Sequence, residues 1–227
     1  MLEFRDCTIV FDLDGTLVDT APDLIGATNH ALADIGLGAV PGAALRPWIS
    51  FGARRMIEEG LRHSGEVRPA TEVDRLLALF LGHYEANIAV VSRPYPGAVE
   101  ALGAILDAGG SLAVCTNKRE SLSLRLLTEL DLVDYFAAIV GRDTLAACKP
   151  DPLHLTGAIE MAGGARGAAV MVGDSGVDIQ TARAASIPVV GVTFGYTDTP
   201  IQSLGPDAVI DHYDRLLGVL PGLLARS

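Results

Sequence analysis

One stretch near the start of the chain decides its fold: residues 8–20, from Thr8 to Thr20, which read TIVFDLDGTLVDT. The first four residues are β-branched or apolar, which is typical of a buried strand. Since a buried parallel strand carries no charge, Asp12 and Asp14 must lie at or beyond its carboxyl end, where open α/β sheets bind their ligands. Two carboxylates this close repel each other unless a cation lies between them or one is protonated. The alternative is an ordinary Asp-Gly turn after a strand.

Composition and charge narrow the class of protein and its partners. The chain has 227 residues, of which 49% are hydrophobic but only 5% aromatic. This length suits one large domain or a domain with an insertion, and this apolar content suits helices layered on a sheet. The formal net charge of −11 disfavours nucleic acid and anionic membrane surfaces as partners. The negative net charge does not exclude an anionic substrate, because positive groups at the binding site itself decide whether an anion binds.

The cysteines and the N-terminal residues indicate in which cellular compartment the protein is expected. Cys7, Cys115 and Cys148 are odd in number and far apart, so they support neither a disulfide framework nor a zinc site. No run of 18 apolar residues predicts a transmembrane helix, and the N-terminus lacks the apolar core of a signal peptide. We therefore expect a cytoplasmic protein without a membrane partner, either a monomer or a homodimer.

The order of the predicted elements indicates two regions. From Asp23 to about Val91 the apolar spacing is helical and no strand is evident. After the turn cluster at residues 93–97, helices and strands alternate, which indicates a parallel sheet covered on both faces. The expected fold is α/β: a Rossmann-like three-layer parallel sheet core, residues 1–20 and 93–227, with an inserted all-helical cap domain, residues 21–92. Helices are predicted at 22–35, 41–49, 53–61, 73–91, 96–107, 120–130, 152–162, 177–185 and 214–224, and strands at 8–11, 111–115, 138–140, 168–172, 188–193 and 208–210.

Three more polar clusters come directly after predicted strands or after the loops that leave them. They are Thr116-Asn117-Lys118, Lys149-Pro150, and Gly173-Asp174-Ser175 with Asp178 one helical turn further on. In a parallel sheet all strands end at the same edge, so these clusters should meet Asp12 and Asp14 in one crevice.

The residue types in that crevice indicate phosphoryl transfer. Hard oxygen ligands suited to Mg²⁺ come from Asp12, Asp14, Asp174 and Asp178. Lys149 offers a fixed positive charge and Thr116 a hydroxyl donor, while backbone N–H groups at Gly15 and Asn117 can cradle an anion. Around a nucleophilic carboxylate, these groups favour chemistry on a small phosphorylated metabolite, in which positioning and charge neutralisation dominate.

Taken in order, four segments resemble the four motifs of the haloacid dehalogenase superfamily: Asp12-Leu13-Asp14-Gly15-Thr16, Thr116, Lys149-Pro150 and Gly173-Asp174-Ser175-x-x-Asp178. The resemblance implies a Mg²⁺-dependent hydrolase that works through an aspartyl-phosphate, with Asp12 as the nucleophile and Asp14 as the general acid/base. It implies that Asp12, the main-chain oxygen of Asp14 and Asp174 hold Mg²⁺. Thr116 and Lys149 would bind the transferring phosphoryl group, and Asp178 and Ser175 would support the metal ligands from behind.

Two segments resemble one subfamily, the phosphoglycolate phosphatases, in finer detail: residues 19–24, DTAPDL, and residues 48–54, WISFGAR. Ser50 stands where that subfamily usually has a glycine, and Arg119 where it usually has a proline. The resemblance implies hydrolysis of 2-phosphoglycolate to glycolate and phosphate. In the cap, Gly52-Ala53 could begin a helix whose N–H groups meet an anion, with Arg54 or Arg55 adding positive charge as a substrate contact. The alternative is that both arginines lie on a solvated helix face. The alternative substrate is another small phosphate ester, a sugar phosphate or a nucleotide.

Two further classes of protein share parts of this pattern. A receiver domain holds a phosphoryl group on aspartate for signalling, but receivers have neither an aspartate at the place of Asp14 nor an inserted cap. Gly173-Asp174-Ser175 alone would suit a serine esterase with Ser175 as nucleophile. That reaction needs an aspartate three residues before a late histidine, and Val209 occupies that place before His212.

Overall fold

The computed structural model describes residues 3–197 and 199–225 of the chain. Within them the chain forms two compact units. The core unit contains the residues up to Val18 and those from Pro94 onward, and the helical unit is Asp19–Arg93. Each of the described helices is too short or too polar to cross a bilayer.

A six-stranded parallel sheet forms the centre of the core unit. The described strands are β1 (Thr8–Phe11), β2 (Val18–Asp19), β3 (Arg93–Pro94), β4 (Ser111–Cys115), β5 (Ala138–Val140), β6 (Ala169–Gly173), β7 (Val189–Val192) and β8 (Ala208–Ile210). The sheet order is β5-β4-β1-β6-β7-β8, with parallel pairing throughout. The short strands β2 and β3 pair separately, where the chain passes between the two units. β1 and β6 are buried along their whole length, which is why they read as continuous apolar runs.

Helices cover the sheet and make up the second unit. The described α-helices are α1 (Ala21–Ala33), α2 (Gly42–Leu45), α3 (Ala53–His63), α4 (Ala70–Ala86), α5 (Ala98–Asp107), α6 (Glu120–Glu129), α7 (Pro152–Met161), α8 (Gly176–Ala185) and α9 (Leu216–Leu224). Alternate strand residues such as Val10, Ala113 and Met171 pack with Leu155 of α7 and Ile179 of α8 in one apolar cluster. Helices α5 and α9 pack on each other and on β4 and β6. A parallel sheet layered with helices confirms the predicted fold class.

Two helices begin at polar residues that the site depends on. Asp151 precedes α7, and its carboxylate accepts a hydrogen bond of 2.9 Å from the N–H of Leu153, while Pro152 occupies the first helical position. Ser175 and Asp178 form a reciprocal capping box at the start of α8. The cap of α8 therefore fixes the side chain of Asp178 relative to the end of β6.

Several predicted boundaries were wrong. The helix predicted to reach Val91 ends at Ala86, where Asn87 leaves the helical conformation. The N–H groups of Val91 and Ser92 donate instead to the buried carboxylate of Asp23. The helix predicted at 41–49 is instead α2 followed by a 3₁₀ segment, Arg46–Phe51, since Pro47 has no N–H to continue an α-helix. The last helix starts at residue 216, after a 3₁₀ turn at 213–215. The strands β2 and β3 were missed, because two residues are too short for a pattern.

Candidate active site

Three strand ends bring the main polar groups to one edge of the sheet. β1 lies between β4 and β6 and runs parallel to both, so the residues after these strands are neighbours. The N–H of Asp12 donates to Val172 O (2.9 Å) and that of Thr116 to Val140 O (3.0 Å), which extends the ladder by one residue on each strand. Asp174 follows β6 directly. The pairing of the strands therefore fixes the backbone positions of Asp12, Thr116 and Asp174 at this edge.

Lys149 links two buried carboxylates. Its Nζ lies 2.8 Å from Asp12 Oδ1 and 2.6 Å from Asp178 Oδ1. Burial lowers the pKa of Lys149, but Asp12 and Asp178 raise it by more, so the lysine keeps its proton. Burial raises the pKa of Asp12 to about 7, although the Lys149 ammonium acts in the opposite direction. The ammonium of Lys149 therefore offsets part of the effect that burial has on the pKa of Asp12.

Asp174 is completely buried and held from two sides. Its Oδ1 accepts from Thr16 Oγ1 at 3.3 Å and its Oδ2 from the N–H of Tyr196 at 2.7 Å. Burial raises the pKa of Asp174 well above its usual value, and the charges of Asp178 and Asp12 raise it further. Glycine is required beside it, since a Cβ on Gly195 would collide with this carboxylate.

The carboxylate cluster fits a metal ion. Oxygens of Asp12, Asp174 and Asp178 all lie within 4.8 Å of one another, and all three residues are buried. One lysine does not balance three carboxylates at such distances, and an all-oxygen donor set is what hard divalent cations prefer. Both Asp178 oxygens are already engaged, Oδ1 by Lys149 and Oδ2 by the N–H (3.0 Å) and Oγ (2.7 Å) of Ser175. Asp174 also accepts one hydrogen bond on each oxygen, but it has no ammonium partner among the described residues, and Asp12 contacts Lys149 through Oδ1. Asp12 and Asp174 are therefore the better candidates for metal ligands.

Asp14 contacts a second lysine. Lys118 Nζ lies 2.8 Å from Asp14 Oδ1. The turn that follows is tight: Gly15 has φ +84°, and its N–H donates to Val18 O at 2.9 Å. A Cβ on Gly15 would lie 2.6 Å from Asp174 Oδ2. The N–H expected to cradle an anion is therefore used within the turn, and the glycine allows Asp174 to approach.

The residues after β4 are tied to the lysine loop. Thr116 is buried, and its Oγ1 accepts from the N–H of Lys118 at 3.2 Å. Asn117 Nδ2 donates to the carbonyl oxygen of Lys149 at 3.0 Å. The two loops that carry Thr116 and Lys149 therefore hold one another in place.

Arg54 is the one predicted site residue that belongs to the helical unit. It lies near the start of α3, after Gly52, whose φ is +89°. Its guanidinium pairs with Asp74 of α4, and both side chains are about half exposed. The neighbouring Arg55 pairs with the buried Glu59 at 2.7 Å and lies over the ring of Trp48.

A family model described as haloacid dehalogenase-like hydrolase matches residues 9–192. The chain belongs to this family. The assignment makes it a hydrolase and disfavours the receiver-domain and serine-esterase alternatives. Phosphatases of the haloacid dehalogenase family are metal-dependent in general, which agrees with the buried acidic cluster.

Individual relatives are similar over nearly their whole length. A phosphoglycolate phosphatase from Mesorhizobium japonicum is 52% identical over 221 residues, which is 96% of each chain. One from Agrobacterium fabrum is 48% identical over 211 residues, 93% of this chain and 91% of the other. A solved structure described as a predicted phosphoglycolate phosphatase from Haemophilus somnus has a TM-score of 0.88 at 30% identity and covers 96% of this chain and 98% of its own.

Sequence reasoning missed several residues that shape this haloacid dehalogenase site. Thr16, Gly195 and Tyr196 surround Asp174, and the same strand-end argument applied to the end of β7 would have indicated the last two. His154 is fully buried; its Nε2 lies 2.9 Å from Gly141 O and its Nδ1 accepts from the N–H of Lys149 at 3.2 Å. Burial lowers the pKa of His154, so it serves as a neutral anchor for the lysine. No local sequence signal marks it.

Proposed function

We propose that the chain is a Mg²⁺-dependent phosphatase that hydrolyses 2-phosphoglycolate to glycolate and phosphate through an aspartyl-phosphate. The observation that carries the proposal is the pair of motif aspartates, Asp12 and Asp14, each in contact with a lysine at the sheet edge. The substrate assignment is supported by relatives named phosphoglycolate phosphatase that share 40–52% identity with most of the chain.

In the first half-reaction, Asp12 is the nucleophile. One of its carboxylate oxygens attacks phosphorus, and the bond from phosphorus to the ester oxygen breaks. Asp14 donates a proton to that leaving oxygen, so glycolate departs with a hydroxyl group. The product left on the enzyme is an acyl phosphate on Asp12.

In the second half-reaction, Asp14 acts as a base. It takes a proton from a water molecule as the water oxygen attacks phosphorus, and the bond from phosphorus to the Asp12 oxygen breaks. Inorganic phosphate leaves, Asp12 is again a carboxylate, and Asp14 is again protonated. Two residues thus return to their starting states, and one water is consumed in each cycle.

Lys149 and Thr116 bind the phosphoryl group while it is transferred. Lys149, which keeps its proton, and the Thr116 hydroxyl lie at the ends of neighbouring loops, so both are available to phosphoryl oxygens, where charge grows in the transition state. Asp12, the main-chain oxygen of Asp14 and Asp174 would hold Mg²⁺. When bound, that ion neutralises phosphate charge and admits a dianion to an acidic site.

We assign substrate selection to the helical unit as the cap of this enzyme. The groups of the core address phosphate, and little there distinguishes one organic moiety from another. The segment from Phe51 to Arg54 carries a glycine with positive φ, which begins a helix with an arginine in its first turn. Such a helix start suits the carboxylate of a small phosphate ester such as 2-phosphoglycolate.

The test is a comparison of substrates with the purified full-length chain and Mg²⁺ at neutral pH. Values of kcat/KM are measured by phosphate release for 2-phosphoglycolate, glucose 6-phosphate and a nucleoside monophosphate. We expect 2-phosphoglycolate to be favoured by at least about tenfold, because a site that pairs a substrate's polar group rejects substrates lacking it. A faster rate with the sugar phosphate or the nucleotide would contradict the substrate assignment. Activity retained in Asp12→Asn would contradict the mechanism.

A further inference from the structure

Lysine is rare in this chain, and its two positions are informative. Of the 17 lysine and arginine residues, only Lys118 and Lys149 are lysines. Arginine supplies the positive charge at every other position, so two lysines at the sheet edge indicate a need for a compact ammonium. Lys149 contacts Asp12, and Lys118 contacts Asp14. The two catalytic carboxylates thus have one lysine each.

The side chain of Lys118 is buried, and its contact with Asp14 explains this burial. Its side chain is 6% exposed, against 16% for that of Asp14, and the Nζ to Oδ1 distance is 2.8 Å. Lysine side chains are almost never buried without a partner. A charge-assisted hydrogen bond of this length is among the stronger polar contacts in proteins.

The backbone of Lys118 is anchored on both sides. Its N–H donates to Thr116 Oγ1 at 3.2 Å, and its carbonyl oxygen accepts from the N–H of Arg142 at 2.9 Å. These two hydrogen bonds hold the backbone of Lys118 close to the end of β4. From there the ammonium reaches Asp14, which lies 104 positions earlier in the sequence.

We propose that Lys118 is a positioning residue that fixes the orientation of the Asp14 carboxyl group for proton transfer. The inference rests on the proposed function, in which Asp14 protonates the leaving oxygen. With Oδ1 held by the ammonium, rotation of the carboxyl group about its Cβ–Cγ bond is restricted, and Asp14 keeps one face toward the reacting ester. Catalytic groups act only within narrow limits of distance and angle, so the loss of this restraint slows the step that Asp14 assists.

The effect depends on the leaving group. Phenolate is a poor leaving group and needs a proton as its bond to phosphorus breaks, whereas p-nitrophenolate departs with little help. Phenyl phosphate and p-nitrophenyl phosphate have nearly the same shape, so their comparison isolates the need for an acid. We expect Lys118→Met to lower kcat/KM for phenyl phosphate by about 10²-fold, the scale of a misplaced catalytic group, and for p-nitrophenyl phosphate by less than about threefold.

Two control variants accompany the measurement. Asp14→Asn removes the acid itself and should show the same selective loss, at least as large. Arg119→Met removes a neighbouring exposed cation of the same loop and should change neither rate by more than about twofold, as surface charges contribute little. Lys118→Gln is measured alongside Lys118→Met. In every variant the ratio of the two substrates is independent of how much of the preparation is folded.

The outcomes separate the inference from the proposed function. A selective loss with phenyl phosphate in both Lys118 variants and in Asp14→Asn supports it. Equal losses on both substrates in the Lys118 variants, with a selective loss in Asp14→Asn, would overturn it while leaving the proposed function intact. So would a higher KM for 2-phosphoglycolate with unchanged aryl phosphate rates, because that would make Lys118 a substrate contact. The absence of a selective loss in Asp14→Asn would instead remove Asp14 as the acid.

Discussion

Replacing Lys149 by methionine removes the cation from a buried cluster of carboxylates. The ammonium lies 2.8 Å from Asp12 and 2.6 Å from Asp178, and Asp174 is fully buried beside them. Methionine is similar in length and apolar, so the substitution leaves charges without a counter-ion and creates little empty volume. The folded state should therefore be destabilised by electrostatics more than by packing.

The size of the effect follows from the two contacts. Removing one partner of a buried ion pair costs about 3–5 kcal/mol. Since Lys149 serves two carboxylates, we expect a loss at the upper end, about 5 kcal/mol at neutral pH without divalent cations. For a chain of this length, each kcal/mol lowers Tm by about 2–4 °C, so the expected drop is about 10–20 °C.

The assay is unfolding followed by circular dichroism in the presence of EDTA. Arg166→Met is a matched control, because it also removes one cation, from an ion pair with Glu160 in which the side chains are 57% and 65% exposed. Exposed pairs contribute about 0–1 kcal/mol, so this variant should unfold nearly as the wild type does. If the unfolding free energies of Lys149→Met and Arg166→Met differ by less than about 1 kcal/mol, which is below the range for a broken buried pair, Lys149 does not stabilise the carboxylate cluster as expected.

Three further predictions concern single side chains. Gly195→Ala should weaken Mg²⁺ binding by about 10–100-fold, because the added Cβ displaces the Asp174 carboxylate. The affinity is measured by titrating Mg²⁺ and following both thermal stability and activity, and an unchanged midpoint of the titration would contradict the prediction. Asp14→Asn should lower kcat by about 10²–10⁴-fold with little change in the thermal stabilisation produced by Mg²⁺, and a loss below tenfold would remove it as the acid/base. Arg54→Ala should change the unfolding free energy by less than about 1 kcal/mol, since its pair with Asp74 is exposed. It should raise KM for 2-phosphoglycolate and leave p-nitrophenyl phosphate turnover largely intact. Equal losses on both substrates would show that Arg54 does not determine the selectivity.

Much of the core could be predicted because the signals are local. The apolar run before Asp12 and the run before Asp174 each define a strand, and parallel pairing then requires their ends to meet. The same argument placed Thr116 beside them. These inferences need only residue type, order and the topology rules of α/β sheets.

The rest depends on contacts between residues far apart in sequence. The order of the strands brings Lys118 to the same crevice as Asp14, 104 residues earlier, but does not show that the two side chains pair. Tyr196 meets Asp174 through its backbone N–H, a group that every non-proline residue possesses. Asp23 holds the segment after α4 in the same way, by accepting from backbone N–H groups 68 and 69 residues later. The type of a residue does not show which distant residue it contacts, so a single sequence does not predict these contacts.

The proposed mechanism requires that Asp12 becomes phosphorylated during turnover. The direct measurement is acid quench of the enzyme while it turns over 2-phosphoglycolate, followed by borohydride reduction and peptide mass spectrometry, since borohydride reduces an acyl phosphate to an alcohol. We expect the reduced side chain at residue 12 and at no other aspartate, and we expect none in Asp12→Asn. Reduction at a different aspartate, or an unmodified Asp12 in enzyme quenched during steady turnover, would contradict it.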